Sequence, residues 1–174
     1  MYQTLPWNHR GWHAGGAANN THIGVEMCEP ACIKYTSGAN FTCSDLTTAK
    51  AVAKRTYEAA VELLASLCKQ YGLDPMKDGV IISHREGCAR GLASNHGDPE
   101  HLWNQLGTGY TMNGFRKAVQ ADMKGGGVTT TPNAEKPTTG GTGATVKPYL
   151  VRVTIPDLYI SCLLYTSDAA DEED

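Results

Sequence analysis

No stretch of this 174-residue chain approaches the ~20 consecutive apolar residues with which a helix crosses a membrane, so no membrane span is expected. The opening residues, Met1-Tyr-Gln-Thr-Leu-Pro-Trp7, lack both the basic and the apolar segment of a secretory signal. Clustered lysine and arginine are missing too. Fifteen basic side chains stand against 18 acidic ones, for a net charge of −3. Five of the acids (Asp168, Asp171, Glu172, Glu173 and Asp174) fall in residues 162–174, leaving 15 basic against 13 acidic residues before them. A surplus of two charges supplies no track for phosphates, so nucleic acid is not an expected partner. Paired cysteine knuckles are absent as well. Cys28 and Cys32 have half-site spacing, but no second pair accompanies them among the six cysteines, which are expected to be reduced. At 41% hydrophobic and 19% charged residues, the composition is that of an ordinary globular domain with an appendage.

The most informative stretch runs from Gly79 to Trp103. Its apolar run Val80-Ile81-Ile82 fits a short buried strand, and His84 stands where that strand meets its loop. His96, Asp98 and His101 then fall within six positions, and Asp98-Pro99 is a turn or helix-start signal with Asp98 as the cap. An imidazole at a strand end and a His/Asp pair at a helix start make a candidate two-part metal site, because zinc accepts imidazole nitrogen and carboxylate oxygen. The competing reading is a hydrogen-bonded structural histidine.

Earlier in the chain, the segment from Pro6 to Gly16 is aromatic, histidine-containing and glycine-rich, which suits either the lining of a sugar or peptide groove or a packed loop. His22–Met27 alternates, with Ile23 and Val25 on one face and His22, Gly24 and Glu26 on the other, as in a strand. Glu26 is a candidate acid or base. Residues 31–43 read as a loop with a small hairpin near Ser37-Gly38. Ser44 is the expected cap of an amphipathic helix over 45–71, closed by Gly72. Thr111 caps a second helix, 112–124, with Phe115, Val119 and Met123 inward. A helix between two strands suggests an α/β layer. Residues 125–146 are a Gly/Thr/Pro linker, and 147–161 read as one strand and a turn. Residues 162–174 look like the translation of a sequencing-library adapter and are not expected to pack.

Gln3-Thr-Leu-Pro-Trp7, Trp12-His13-Ala-Gly-Gly16, Asn20-Thr-His-Ile-Gly-Val-Glu26, Gly79-Val-Ile-Ile-Ser-His84 and Ser94-Asn-His-Gly-Asp-Pro-Glu-His-Leu-Trp103 occur in one order across residues 1–124. Together they resemble the zinc-dependent N-acetylmuramoyl-L-alanine amidases of the peptidoglycan-recognition fold, most nearly the endolysins of phages and prophages. The resemblance implies an α/β fold in which helices flank a mixed central sheet. It also implies Zn²⁺ as cofactor, bacterial cell-wall peptidoglycan as partner, and residence in the producing cell's cytoplasm until lysis. His84 and Asp98 match two zinc ligands. Glu26 matches a catalytic carboxylate near the metal, and His96 stands where relatives place an oxyanion-steadying Lys or Thr. Trp12, His13 and Asn20 lie in groove-lining segments. The family's first ligand is a histidine upstream of the Gln3–Trp7 segment, so this ligand and the N-terminal strands are expected to be missing and the fragment to be inactive. Residues 147–161 resemble the truncated start of an SH3-like wall-binding domain. What the resemblance implies chemically is hydrolysis of the amide between N-acetylmuramic acid and L-alanine by a zinc-bound water. Two rivals stand beside it. One is a peptidoglycan-binding module with an incomplete zinc site. The other is a histidine-rich metal nuclease, against which the weak basic charge argues.

Overall fold

The computed structural model describes residues 1–125 and the strand at 159–164. Within them a three-stranded sheet and the helices packed on it set the carboxyl ends of two strands level with each other, one strand apart. The first strand, β1 (His22–Met27), buries Ile23, Val25 and Met27 and turns Glu26 outward, as its alternation dictates. A hairpin of β2 (Ile33–Ser37) and β3 (Asn40–Cys43) follows, pairing antiparallel and turning near Gly38 at φ 53°. This is the hairpin expected around Ser37-Gly38.

The long helix α1 (Leu46–Tyr71) lays an apolar face, including Ala49, Ala53, Val61, Leu64 and Cys68, into the core. Gly72 ends it in the left-handed region at φ 65°, as expected. Its cap is Asp45 rather than Ser44: the Asp45 carboxylate accepts from the Thr48 N–H at 2.9 Å. The Ser44 hydroxyl donates to the Cys32 carbonyl instead, tying the hairpin to the helix start. Strand β4 (Ile81–Ser83) is buried at all three positions. It leads directly into a short helix α2 (His84–Ala89), so His84 opens a helix and not the loop its sequence suggests. Ser83 and Glu86 form the reciprocal capping box of that helix. Helix α3 (Glu100–Gln105) has Pro99 at its cap position with no side-chain cap, so Asp98 does not serve as the N-cap. Helix α4 (Met112–Met123) is capped by Thr111, which accepts from Gly114 N–H, as expected.

Strand β5 (Tyr159–Leu164) lies between β1 and β4 and runs parallel to both. Two expectations are corrected here. Among the described residues the three-stranded sheet is parallel throughout and antiparallel pairing is confined to the β2–β3 hairpin, where a mixed central sheet was expected. Residues 162–164, expected to lie apart from the fold, complete the sheet. The physical reason is that β1 and β4 each present a row of backbone donors and acceptors to the other, and a strand seated between them satisfies both rows. The expected linker at 125–146, most of the expected SH3-like start at 147–161 and the end of the expected tail, 165–174, lie outside the described residues, which there include only Gly125 and 159–164.

The core is one cluster that joins β1, α1, β4, α3 and α4. Trp103 of α3 is 1% exposed and meets Tyr57 of α1 edge-on at 5.7 Å, while Tyr57 stacks on Tyr110 at 4.3 Å. This aromatic group fixes α3, and α3 fixes the chain that carries Asp98.

Candidate active site

Register builds the site. Val25 of β1 and Ser83 of β4 share Cys162 as their partner on β5, and Glu26 is one residue further along β1 at Leu163. Glu26 and His84 therefore stand level, with one strand between them, at backbone positions ~10 Å apart. Both lie at the carboxyl ends of parallel strands, where α/β sheets leave room for a ligand.

His84 is 8% exposed and Asp98 1%. His84 Nδ1 lies 3.6 Å from Asp98 Oδ2. The Arg85 N–H donates to the Asp98 carbonyl at 3.3 Å, clamping the first turn of α2 to the Asp98 loop. Two donors that each sit ~2.0–2.2 Å from a tetrahedral zinc are ~3.3–3.6 Å apart. The pair thus fits two corners of such a site. Among the described residues no group of three His, Cys, Asp or Glu side chains converges as a metal site.

Burial, with the charge of Asp98 adding and that of His84 opposing, pushes the Glu26 carboxyl up to about 7 from an ordinary 4.5. The residue as a whole is exposed although its carboxyl is crowded. Register places Glu26 level with His84, and the charges of Asp98 and His84 both act on its carboxyl.

The His96 ring lies beside that of His84, with centroids 4.6 Å apart and planes tilted by 49°. Ser94 stands between them: its Oγ is 3.0 Å from His84 Nε2 and 3.1 Å from His96 Nδ1. The sequence points to His96 and not to Ser94, although the serine opens the matching segment that contains both His96 and Asp98.

The groove-lining expectations divide. Trp12 is 76% exposed with the Arg10 guanidinium 4.9 Å above its ring. His13 serves the scaffold. Its Nε2–H donates to the His22 carbonyl at 3.1 Å, and its ring covers Gly24, where any Cβ would overlap it. Burial lowers its pKa. Asn20 is exposed and accepts from Arg10 Nε at 2.6 Å. The neighbouring Asn19 is the buried one, and its Oδ1 accepts from the N–H groups of His13 and Ala14 at 2.8 and 2.7 Å. Asn19 therefore shapes the Trp12–Gly16 segment, and no periodicity in the sequence separates it from Asn20.

Next to Glu26 an open cleft of about 560 Å³ is lined by Cys28, Glu29, Pro30, Ala31, Ile33 and Tyr35. Tyr35 Oη donates to Glu29 Oε1 at 2.7 Å and is 2.8 Å from His101 Nε2. These residues link the hairpin to α3 along one wall. Sequence spacing groups His101 with the metal candidates, but it faces Tyr35 and Glu29, with Glu29 Oε1 3.6 Å away.

A family model described as N-acetylmuramoyl-L-alanine amidase matches residues 1–101. No curated protein and no solved structure matches the chain. The matched span covers more than half of the sequence and contains β1, the His84 turn, Ser94, His96 and Asp98. On that span, the chain belongs to the N-acetylmuramoyl-L-alanine amidase family.

Proposed function

We propose that the chain hydrolyses the amide between the lactyl group of N-acetylmuramic acid and L-alanine in peptidoglycan, with a zinc ion held in part by His84 and Asp98. The observation that supports this reading is the close His84–Asp98 pair, 3.6 Å apart, with Glu26 level with His84 across one strand. A zinc ion held there would polarise the scissile carbonyl and acidify the attacking water. The residues supply the rest. Glu26, as a carboxylate, takes a proton from the water and returns it to the leaving amine of L-alanine. A pKa near 7 suits a group that must both accept and give a proton. His96, beside His84, offers a hydrogen bond to the oxygen on which negative charge grows. The cleft beside Glu26 gives room for the stem peptide.

Catalytic zinc takes three protein ligands, whereas no three candidate ligands converge among the described residues and the reading proposes two, His84 and Asp98. Affinity for zinc is accordingly low in our reading, and turnover depends on the zinc supplied. The same shortfall is what favours the second reading, a module that binds peptidoglycan without cutting it.

Product chemistry tests the proposal. Digestion of purified peptidoglycan should yield glycan strands that keep the lactyl carboxylate and stem peptides that begin with a free L-alanine amine, both identified by mass spectrometry. New reducing sugar ends, or cuts within the stem peptide, would contradict the assignment. Retention on peptidoglycan with no products at saturating zinc would favour the binding module.

A further inference from the structure

The base of the β2–β3 hairpin brings two cysteines together. Cys43 ends β3 and pairs with Ile33, the first residue of β2, so Cys32 is the diagonal neighbour of Cys43. The pairing continues one step beyond the strands, where the Ser44 N–H donates to the Cys32 carbonyl at 3.0 Å. Directly opposed residues of an antiparallel pair are ~4.5–5.5 Å apart at Cα, and one residue along a strand adds ~3.4 Å at right angles. The diagonal is therefore roughly 5.6–6.5 Å, inside the ~4.4–6.8 Å over which a disulfide closes.

On an ideal pleat such neighbours point to opposite faces. Cys32 escapes that rule because it precedes β2, in a turn in which the Ile33 N–H donates to the Pro30 carbonyl at 3.2 Å. Cys32 and Cys43 accordingly both lie half-buried against the core. Desolvation raises the pKa of the Cys32 thiol, and the Cys43 thiol beside it raises it further. Both are free thiols in this structure. The rival nearest in sequence to Cys32 is Cys28, which is exposed.

We propose that Cys32 and Cys43 form a modification site, a dithiol that a low-molecular-weight disulfide converts to an intramolecular bridge stapling the base of the hairpin. The steps balance. A thiolate of the pair attacks one sulfur of the small disulfide, whose S–S bond breaks and releases one small thiolate. The second cysteine, as a thiolate, attacks the protein sulfur of the mixed disulfide, and the Cys32–Cys43 bond forms as the second small thiolate leaves. The protein gives up two electrons and two protons, and the small disulfide becomes two thiols. The bridge closes a loop of 12 residues, from Cys32 to Cys43. It also fixes one wall of the open cleft, because Ala31 and Ile33 flank Cys32 and line that cleft. The exchange rests neither on His84 and Asp98 as metal ligands nor on amide hydrolysis. Under the proposed function the chain meets peptidoglycan outside the reducing cytoplasm, where such bridges persist.

The test is peptide mapping of the whole chain, reduced, freed of reductant, treated with oxidised glutathione, alkylated and digested with trypsin. Trypsin cuts after Arg10, Lys34 and Lys50, which puts Cys28 and Cys32 on peptide 11–34 and Cys43 on peptide 35–50. The two peptides should be recovered joined, with the alkyl group on Cys28, and Cys28→Ser should leave them joined. The oxidised chain should melt several degrees above the reduced chain, as closing a loop in the unfolded state produces, and added reductant should reverse the shift. Peptide 11–34 bridged within itself through Cys28 and Cys32 would overturn the proposal. So would two separate peptides, with or without glutathione attached, or loss of the joined peptide in Cys28→Ser. Fragmentation of the joined wild-type peptide between Cys28 and Cys32 locates the link even where the variant does not fold.

Discussion

Glu26 carries opposite demands on stability and activity. Its folded pKa, about 7, lies above the ordinary 4.5, so the folded chain binds more protons than the unfolded chain between those values. Stability therefore falls as pH rises through that window, with no penalty below it and the full penalty above it. Glu26→Gln removes a carboxylate that the fold disfavours. The variant should melt higher than wild type above pH ~7 and equally near pH ~4, while losing roughly 10²–10⁴-fold in rate. Wild-type kcat/KM should rise as the pH climbs through about 7, where the base becomes ionised. Thermal melts and pH–rate profiles of both proteins check this, and a glutamine variant that is less stable above neutrality would refute the burial argument. At this scale the sequence pattern reached part of the arrangement. The β1 alternation turned Glu26 away from the core, and the local spacing of His84, His96 and Asp98 marked the cluster. What the sequence could not distinguish was which of two adjacent, chemically identical asparagines is buried, or that a serine hydroxyl bridges two histidines. Those are facts of side-chain contact, and a one-dimensional pattern does not carry them.

The elements were legible where a periodic face or a cap defines them. The apolar stripe gave α1 and α4, Gly72 gave the end of α1, and Thr111 the start of α4. The helix start at α1 slipped by one residue because Ser44 and Asp45 are both good caps. Only the hairpin, which draws the Ser44 hydroxyl to the Cys32 carbonyl, decides between them. Helix α2 was hidden because its six residues are too few to show a period. Helix α3 is equally short, and burial of Trp103 holds it in place. Trp103→Ala should cost about 3–5 kcal/mol, as large-to-small core changes involving tryptophan do. Loss of that anchor should also loosen the Asp98 loop, so zinc affinity should fall in the fraction that remains folded. Denaturant unfolding with and without zinc measures both effects. An unchanged midpoint would show that α3 does not depend on its tryptophan.

The order of the strands was the least legible feature of the whole molecule, because pairing partners far apart in sequence leave no local signal. Nothing in Tyr159–Leu164 announces a strand between β1 and β4, and its sequence invited another origin. Parallel pairing on both sides leaves no room for a residue without an N–H. Ser161→Pro should therefore lower the melting temperature of the entire domain, whereas an unchanged melt would show that the domain is stable without β5. In the proposed reading of the whole molecule, the sheet is the platform that brings Glu26 level with the His84–Asp98 pair for amide hydrolysis. The most direct measurement is the appearance of free L-alanine amines from purified peptidoglycan as zinc is titrated, for wild type and His84→Ala, with a chelator control. The expected release is slow at trace zinc, grows with added zinc, stops with chelator and is lost in His84→Ala. Release that is indifferent to chelator and to His84→Ala, or none at any zinc concentration, would contradict that role for the sheet and its three side chains.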